Sequence, residues 1–149
     1  MAGVVALAAV NGKATDASLV TVDVSKLRPG GILTTRYSVS IGNLKDAPVF
    51  IADTSNNGVV ALVGRSTHLG CRVAYVHAAG YRRFEAHLQV LFEDPCGGSL
   101  FGLNGDCLGG PCPRGLDRLE VTPTRSGLRI NLNNVIAGKA RDPNAQLAS

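Results

Sequence analysis

Two short segments carry most of the residues that could do chemistry in this sequence. Residues 66–71 read STHLGC and residues 94–99 read DPCGGS. They offer an imidazole at His68, a carboxylate at Asp94, a hydroxyl at Ser66 and a thiol in each segment. Such nitrogen, oxygen and sulfur donors can bind metal ions. A serine hydroxyl can also act as a nucleophile, but only when a base lies within hydrogen-bond reach and a third group holds that base.

These segments resemble the two cluster-binding boxes of the Rieske iron–sulfur protein family, which read C-T-H-L-G-C and C-P-C-H-G-S. Box one (residues 66–71) matches the family pattern at five of six positions, and box two (residues 94–99) at four. Residues 109–114, GGPCPR, resemble the family's G-P-A-P-R proline loop, which covers the cluster from the side. The resemblance spans roughly residues 25–135. It implies an all-β fold of stacked antiparallel sheets with a small lobe that carries the degenerate boxes.

The resemblance also implies that the cofactor has been lost. In the family the first Cys and the His of each box hold a [2Fe–2S] cluster. Here Ser66, Asp94 and Gly97 stand at three of those four positions, and His68 alone is retained. The iron that two cysteines serve needs soft thiolate ligands, which a hydroxyl and a carboxylate do not replace. We therefore expect no cofactor and no metal, with a non-standard metal site as the alternative.

The four cysteines divide into two pairs. The resemblance implies a disulfide between Cys71 and Cys96, the family's non-ligand pair, which joins the two boxes. Cys107 and Cys112 lie close together in the sequence. A second, local disulfide is the simplest interpretation of them, and two buried free thiols are the alternative. A zinc site is not favoured, because the C-x-x-C spacing is absent. Paired cysteines indicate an oxidising, extracytoplasmic compartment, either periplasm or cell surface.

Composition fits one β-rich domain. The chain has 149 residues, of which 45% are apolar and only 5% aromatic, with 18 Gly, 7 Pro and no Trp. Abundant turn formers suit many short strands. The net charge of +4 is too small to indicate nucleic-acid binding, and no RRM, zinc-finger or helix-turn-helix pattern is present.

Alternating apolar residues place the strands. We predict strands at residues 19–24, 33–41, 49–52, 59–63, 72–76, 88–92, 116–121 and 128–132, with a hairpin turn at 56–58. Residues 25–138 should form the Rieske-like domain, and residues 139–149 a loose tail. Residues 1–24 should be an N-terminal extension. Its apolar start, residues 1–10, is too short to span a bilayer. It is either a strand-like extension or the end of a trimmed membrane anchor.

The function expected from this pattern is that of an accessory or structural subunit of an electron-transfer or surface assembly, acting by protein contact. Partners would be protein subunits, membrane association is possible, and no nucleic acid is expected. A basic contact surface is predicted at the boxes and the proline loop, formed by Arg65, His68, Arg72, Arg82, Arg83, Pro111 and Pro113. For His68 the alternative is a residual side chain packed under the proline loop.

We do not expect an enzyme. The sequence lacks a nucleophile elbow, a P-loop and a metalloprotease motif. The two boxes of the family face each other. We therefore expect Ser66, His68 and Asp94, a triad-like set, to lie close together as the members of a catalytic triad do. A cryptic hydrolase is therefore the remaining alternative.

Overall fold

The computed structural model of the chain describes residues 18–54, 58–76 and 89–147. Within those ranges, antiparallel strands form two sheets, one of six strands and one of four. The strands are β1 Leu19–Val22, β2 Ile32–Val39, β3 Ala47–Asp53, β4 Val59–Val63, β5 Ala74–Tyr75, β6 Phe92–Glu93, β7 Leu100–Phe101, β8 Cys107–Gly109, β9 Arg118–Thr124 and β10 Gly127–Ile136. The predicted all-β class with antiparallel sheets is confirmed.

The larger sheet has the strand order β1-β10-β9-β4-β3-β2. Register shifts interrupt the β2–β3 and β9–β10 pairs. Such bulges bend a strand and increase its twist. The sheet curls until β2 contacts β10, so that it is nearly closed.

The central strands β3 and β4 bury side chains on both faces because each face of the curled sheet covers a core. Successive side chains of a strand point to opposite faces. On β3, Val49 and Ile51 point into an inner core within the curled sheet. Phe50, between them, points into an interface core shared with the smaller sheet.

The smaller sheet, with the order β5-β6-β7-β8, forms a lobe that carries the two boxes. Its strands are only two or three residues long, and it packs on the larger sheet through Phe92 and Phe101, both fully buried. The ring of Phe92 lies 5.0 Å from that of Phe50. Box one follows β4, and box two lies between β6 and β7, so both boxes are fixed to the interface core.

Most predicted strands appear at their expected places, but the lobe differs in detail. Neither β7 nor β8 was predicted, because strands of two or three residues are too short to show alternation. The expected hairpin turn at 56–58 lies mostly outside the described residues, as do His77 and His87. Of the N-terminal extension, residues 19–22 form an edge strand paired with β10. Residues 1–17 lie outside the described part of the chain.

The loose tail expected from residue 139 is wrong as far as residue 147. Arg141 donates to the carbonyls of Gly110 and Cys112, at 2.6 and 3.1 Å. Gln146 donates to the carbonyl of Cys107 at 2.9 Å, and a single 3-10 turn at Pro143–Ala145 lies between them. Ala145 and Leu147 also pack against the buried side chains of Val90 and Leu108. The segment docks by these two apolar side chains and by hydrogen bonds to carbonyls, which is too few apolar residues to give a periodic pattern. The described residues contain no helix that is both long and apolar enough to cross a membrane.

Candidate functional site: the two boxes

Box one is a tight loop closed by its own backbone. The amide of Ser66 donates to the carbonyl of Cys71 at 2.8 Å, and the amide of Gly70 donates back to the carbonyl of Ser66 at 3.0 Å. The hydroxyl of Ser66 accepts from the amide of His68 at 3.1 Å. Leu69 has a left-handed backbone, with φ of 70°, and its side chain is 82% exposed at the turn.

Box two repeats this pattern with a carboxylate in place of the hydroxyl. The amide of Asp94 donates to the carbonyl of Ser99, and the amide of Gly98 donates to the carbonyl of Asp94, both at 2.8 Å. Asp94 Oδ1 accepts from the amides of Cys96 and Gly97, at 2.8 and 3.2 Å. The first residue of each box therefore caps its own loop with an oxygen atom.

Capping explains why these two residue types stand where the family has cysteines. Short oxygen-bearing side chains favour turns because they accept hydrogen bonds from amides two or three residues ahead. Ser66 is 4% exposed and Asp94 is fully buried, so water cannot supply those bonds instead. The sequence alone suggested that both residues were lost ligands or members of a triad-like set, and not that they cap turns. The available signal was the run of turn-forming residues, Pro and Gly, directly after Asp94.

The disulfide expected between Cys71 and Cys96 is present and joins the two boxes, with 6.3 Å between the Cα atoms. The second disulfide, Cys107–Cys112, is also present, with 6.1 Å between its Cα atoms. Both Cys107 and Cys112 are buried, and no free thiol remains among the four cysteines. The alternative of two free thiols is therefore set aside.

The proline loop holds both boxes from one side. Thr67 Oγ1 donates to the carbonyl of Arg114 at 2.6 Å, which ties box one to the loop. Gly110 has φ of 77° and lies against the backbone of Gly98 and Ser99, so that no side chain would fit there. Pro111 and Pro113 remain exposed.

His68 turns its ring into the space that Gly97 leaves open. A Cβ atom at position 97 would lie 2.7 Å from His68 Nδ1 and 3.2 Å from Asp94 Oδ2. The imidazole is partly buried, and it lies beside Gly97 of box two. Three polar atoms of these boxes are buried without a hydrogen-bond partner among the described residues: His68 Nδ1, Asp94 Oδ2 and Ser99 Oγ.

These residues do not fit a [2Fe–2S] cluster. Two cluster positions are oxygens that already accept loop amides, and a third, Gly97, has no side chain. The ring of the remaining ligand, His68, occupies the space next to Gly97. No thiolate is available either, since all four cysteines are bridged.

The triad-like set is brought to one place but is not assembled. Ser66 Oγ is bonded to the backbone amide of His68, not to its ring. Asp94 Oδ2 and His68 Nδ1 lack hydrogen-bond partners within the described ranges, so the carboxylate does not orient the imidazole. A nucleophile, its base and an orienting group need direct hydrogen bonds to one another.

The predicted basic residues are partly engaged in structure. Arg65 donates to the carbonyl of Gly70 at 3.2 Å and also to that of Lys45, so it braces box one. Arg72 is exposed and lies 3.8 Å from the carboxylate of Asp46. Arg82 and Arg83 lie outside the described residues.

Comparison with known proteins gives two similar curated sequences, although no family model matches the chain. Both are named cytochrome b6-f complex iron-sulfur subunit, and both match over 91 residues, 59% of this chain. The one from Synechococcus sp. (strain JA-3-3Ab) is 35% identical, and the one from Synechococcus sp. (strain JA-2-3B'a(2-13)) is 33% identical. The chain spans 46% of the length of each of these relatives.

Among solved structures, the chain is similar to the cyanobacterial plasma membrane Rieske protein PetC3 from Synechocystis PCC 6803. The two are 28% identical, and the match covers 60% of this chain and 81% of that one, with a TM-score of 0.43.

Proposed function

We propose that the chain, which is similar to iron-sulfur subunits over 91 residues, is a degenerate member of the Rieske iron–sulfur protein family. We propose further that it is a cluster-free accessory or structural subunit that acts through protein contact. One observation carries the proposal. The oxygens of Ser66 and Asp94, at the two thiolate positions, hold the loops closed by accepting their amides. The boxes are thus stabilised as a surface without a cluster.

The contact surface we propose is the exposed part of box one and the proline loop. Leu69 is 82% exposed, and Pro111 and Pro113 are exposed as well. Two disulfides stiffen these loops, so little conformational entropy is lost when a partner binds. A rigid apolar tip of this kind suits a protein partner.

The setting we propose is an extracytoplasmic, membrane-associated electron-transfer assembly. The two disulfides support an oxidising compartment. The curated relatives are named as subunits of a cytochrome b6-f complex, which supports a place in a comparable assembly. We propose no enzymatic activity, because no hydrogen bond joins the buried hydroxyl of Ser66 to an imidazole within the described part of the chain.

The first test measures the cofactor. The purified chain, prepared under anaerobic conditions with iron supplied, is assayed for iron by elemental analysis and for a reduced [2Fe–2S] signal by electron paramagnetic resonance. We expect neither iron nor signal. Two irons per chain would contradict the cluster-free proposal.

The second test measures the partner. The tagged chain is recovered from its native membranes at low and high salt, with Leu69→Asp as the tip variant and Leu19→Asp, on edge strand β1, as the matched control. We expect the same protein subunits to accompany the parent and the control but not the tip variant. A chain recovered alone at every salt concentration would contradict the subunit role.

A further inference from the structure

A group of potential metal ligands lies at the bridge between the boxes, apart from the family's own ligand set. The sulfurs of Cys71 and Cys96 and a carboxylate oxygen of Asp94 all lie within 4.8 Å of one another. The two sulfurs are bonded to each other. After reduction they must move apart to about 3.8 Å, the separation of two thiolates on one tetrahedral zinc ion with Zn–S bonds of about 2.3 Å. While the bridge is closed its sulfurs are not thiolates, and thiolates are the form that binds metal.

Two buried atoms beside this bridge lack the partners that burial demands. Asp94 is fully buried, and its Oδ2 has no hydrogen-bond partner among the described residues, although Oδ1 accepts from two amides. His68 Nδ1 is also buried and has no hydrogen-bond partner among the described residues. Both atoms border the space beside Gly97: a Cβ atom built there would lie 3.2 Å from Asp94 Oδ2 and 2.7 Å from His68 Nδ1. An unpartnered buried carboxylate oxygen is costly, and a cation is one of the groups that would satisfy it.

Of the two disulfides, Cys71–Cys96 is the more accessible to solvent. Cys96 is exposed and Cys71 is half-buried, whereas Cys107 and Cys112 are 2% and 0% exposed. Thiol–disulfide exchange requires that the attacking thiolate reach a sulfur. A reductant should therefore open Cys71–Cys96 before Cys107–Cys112.

From these observations we infer that the Cys71–Cys96 disulfide is a redox-gated binding site for a divalent cation of the zinc type. A dithiol reductant supplies two electrons and two protons, breaks the S–S bond and becomes a disulfide itself. The two cysteine thiols then lose their protons to solvent as the cation binds. Asp94 supplies the third ligand of this group. His68 lies outside the group, but its Nδ1 borders the same space beside Gly97 as Asp94 Oδ2, and in our proposal its ring turns towards the opened bridge to supply the fourth ligand of a set that zinc accepts.

The consequence is that the two boxes stay joined in both redox states. Under oxidising conditions the covalent bond between Cys71 and Cys96 holds them. Under reducing conditions the cation, bound to side chains from both boxes, takes over that role.

The experiment is an anaerobic cobalt titration of the full chain. The protein is reduced with dithiothreitol, freed of reductant by gel filtration and titrated with Co²⁺, beside a sample that was never reduced. We expect the reduced protein to bind one Co²⁺, with the charge-transfer absorption of thiolate ligation and the visible bands of a tetrahedral site, and Zn²⁺ to displace it. The unreduced protein should show neither feature.

Variants assign the ligands. Cys71→Ser/Cys96→Ser should abolish the thiolate absorption, and Asp94→Asn and His68→Gln should each weaken Co²⁺ binding by about tenfold or more. Cys107→Ser/Cys112→Ser is the matched control and should bind as the parent does. Because that control removes a buried bridge, alkylation mapped by mass spectrometry gives a second measurement on the parent. Zn²⁺ should protect Cys71 and Cys96 of the reduced chain from alkylation.

The inference is overturned if the reduced parent binds no Co²⁺, or if Cys71→Ser/Cys96→Ser binds it unchanged. Equal binding to reduced and unreduced protein would also overturn it, because the site would then not be gated. None of these outcomes bears on the iron assay of the unreduced chain, so the cluster-free proposal is tested separately.

Discussion

At the scale of single residues, the three residues that stand where the family has cluster ligands are structural parts of the loops. Ser66 and Asp94 cap the turns that follow them. Gly97 leaves room for the ring of His68. The three residues are therefore complementary, because two close the loops and the third leaves room for the ring of His68 between the boxes.

Replacing the buried cap should destabilise the protein more than replacing an exposed one. Asp94→Ala removes the acceptor of two amides, and we expect the free energy of unfolding to fall by about 2 kcal/mol, the usual range for hydrogen bonds to a charged group. Asp94→Asn keeps an acceptor and should cost less. The control is Asp23→Ala, where Asp23 accepts from the amide of Ser25 at 2.8 Å in an exposed turn. It should change stability much less than Asp94→Ala does, because Asp23 is fully exposed to water. Equal losses in urea unfolding would show that Asp94 is not a structural cap.

Restoring the ligands should restore iron binding. In the variant Ser66→Cys/Asp94→Cys/Gly97→His, the four ligand positions again carry the family's residues, and the bridge and proline loop remain. We expect the variant to take up two irons per chain in anaerobic reconstitution, with His68 swinging away from the new side chain at position 97. The parent, treated identically, is the control. A variant that folds but takes up no iron would show that the loop backbones, and not only the ligands, have diverged.

At the scale of elements, the C-terminal segment and the proline loop form one unit. Arg141 and Gln146 donate to carbonyls at Gly110, Cys112 and Cys107. The amide of Leu147 donates to the carbonyl of Leu108 at 2.8 Å. The rim of the proposed contact surface is thus shaped by a segment about thirty residues downstream.

Arg141→Ala should loosen this unit. Two carbonyls would lose a charged donor, and we expect a loss of about 1–2 kcal/mol in unfolding free energy. Hydrogen exchange should also become faster at the amide of Leu147 and across residues 107–112. Arg125→Ala, in the exposed turn between β9 and β10, is the matched control and should change neither quantity. Unchanged exchange in the Arg141 variant would show that the segment is held by other contacts.

At the scale of the whole molecule, the curled sheet buries both of its faces, one in the inner core and the other in the interface core. The lobe has strands too short to be stable alone, since an isolated hairpin is marginal even when longer. It depends on Phe92 and Phe101, which pack it on the larger sheet. The boxes are therefore only as rigid as the interface core beneath them.

Phe92→Ala should therefore disturb the boxes from beneath. Truncating a buried aromatic ring costs about 3–5 kcal/mol, and Phe92→Leu should cost less because it leaves a smaller cavity. Leu69→Ala, at the exposed tip, is the control and should stay within about 0.5 kcal/mol of the parent. Thermal and urea unfolding measure both. A small loss at Phe92 would mean that the lobe is held mainly by its disulfides.

Much of this protein was determined by local sequence. The strand alternation, the three ordered motifs and the close pair Cys107 and Cys112 are contained in short windows, and each was predicted. The Cys71–Cys96 disulfide spans 25 residues and was expected only from the family resemblance. The turn caps at Ser66 and Asp94 are also local, since their partners lie two or three residues ahead. The sequence analysis missed these caps because it compared Ser66 and Asp94 with the family's cluster ligands and with a catalytic triad, and not with turn-capping residues.

The tertiary structure alone decided how distant segments meet. Thr67 bonds to Arg114, and Arg141 to Gly110, across 47 and 31 residues. The imidazole of His68 fills space beside Gly97, in the other box. No periodicity records such contacts, because they depend on where the folded chain returns and on which buried carbonyls still need donors. For the same reason, the tail resembled loose chain in the sequence although it docks in the fold.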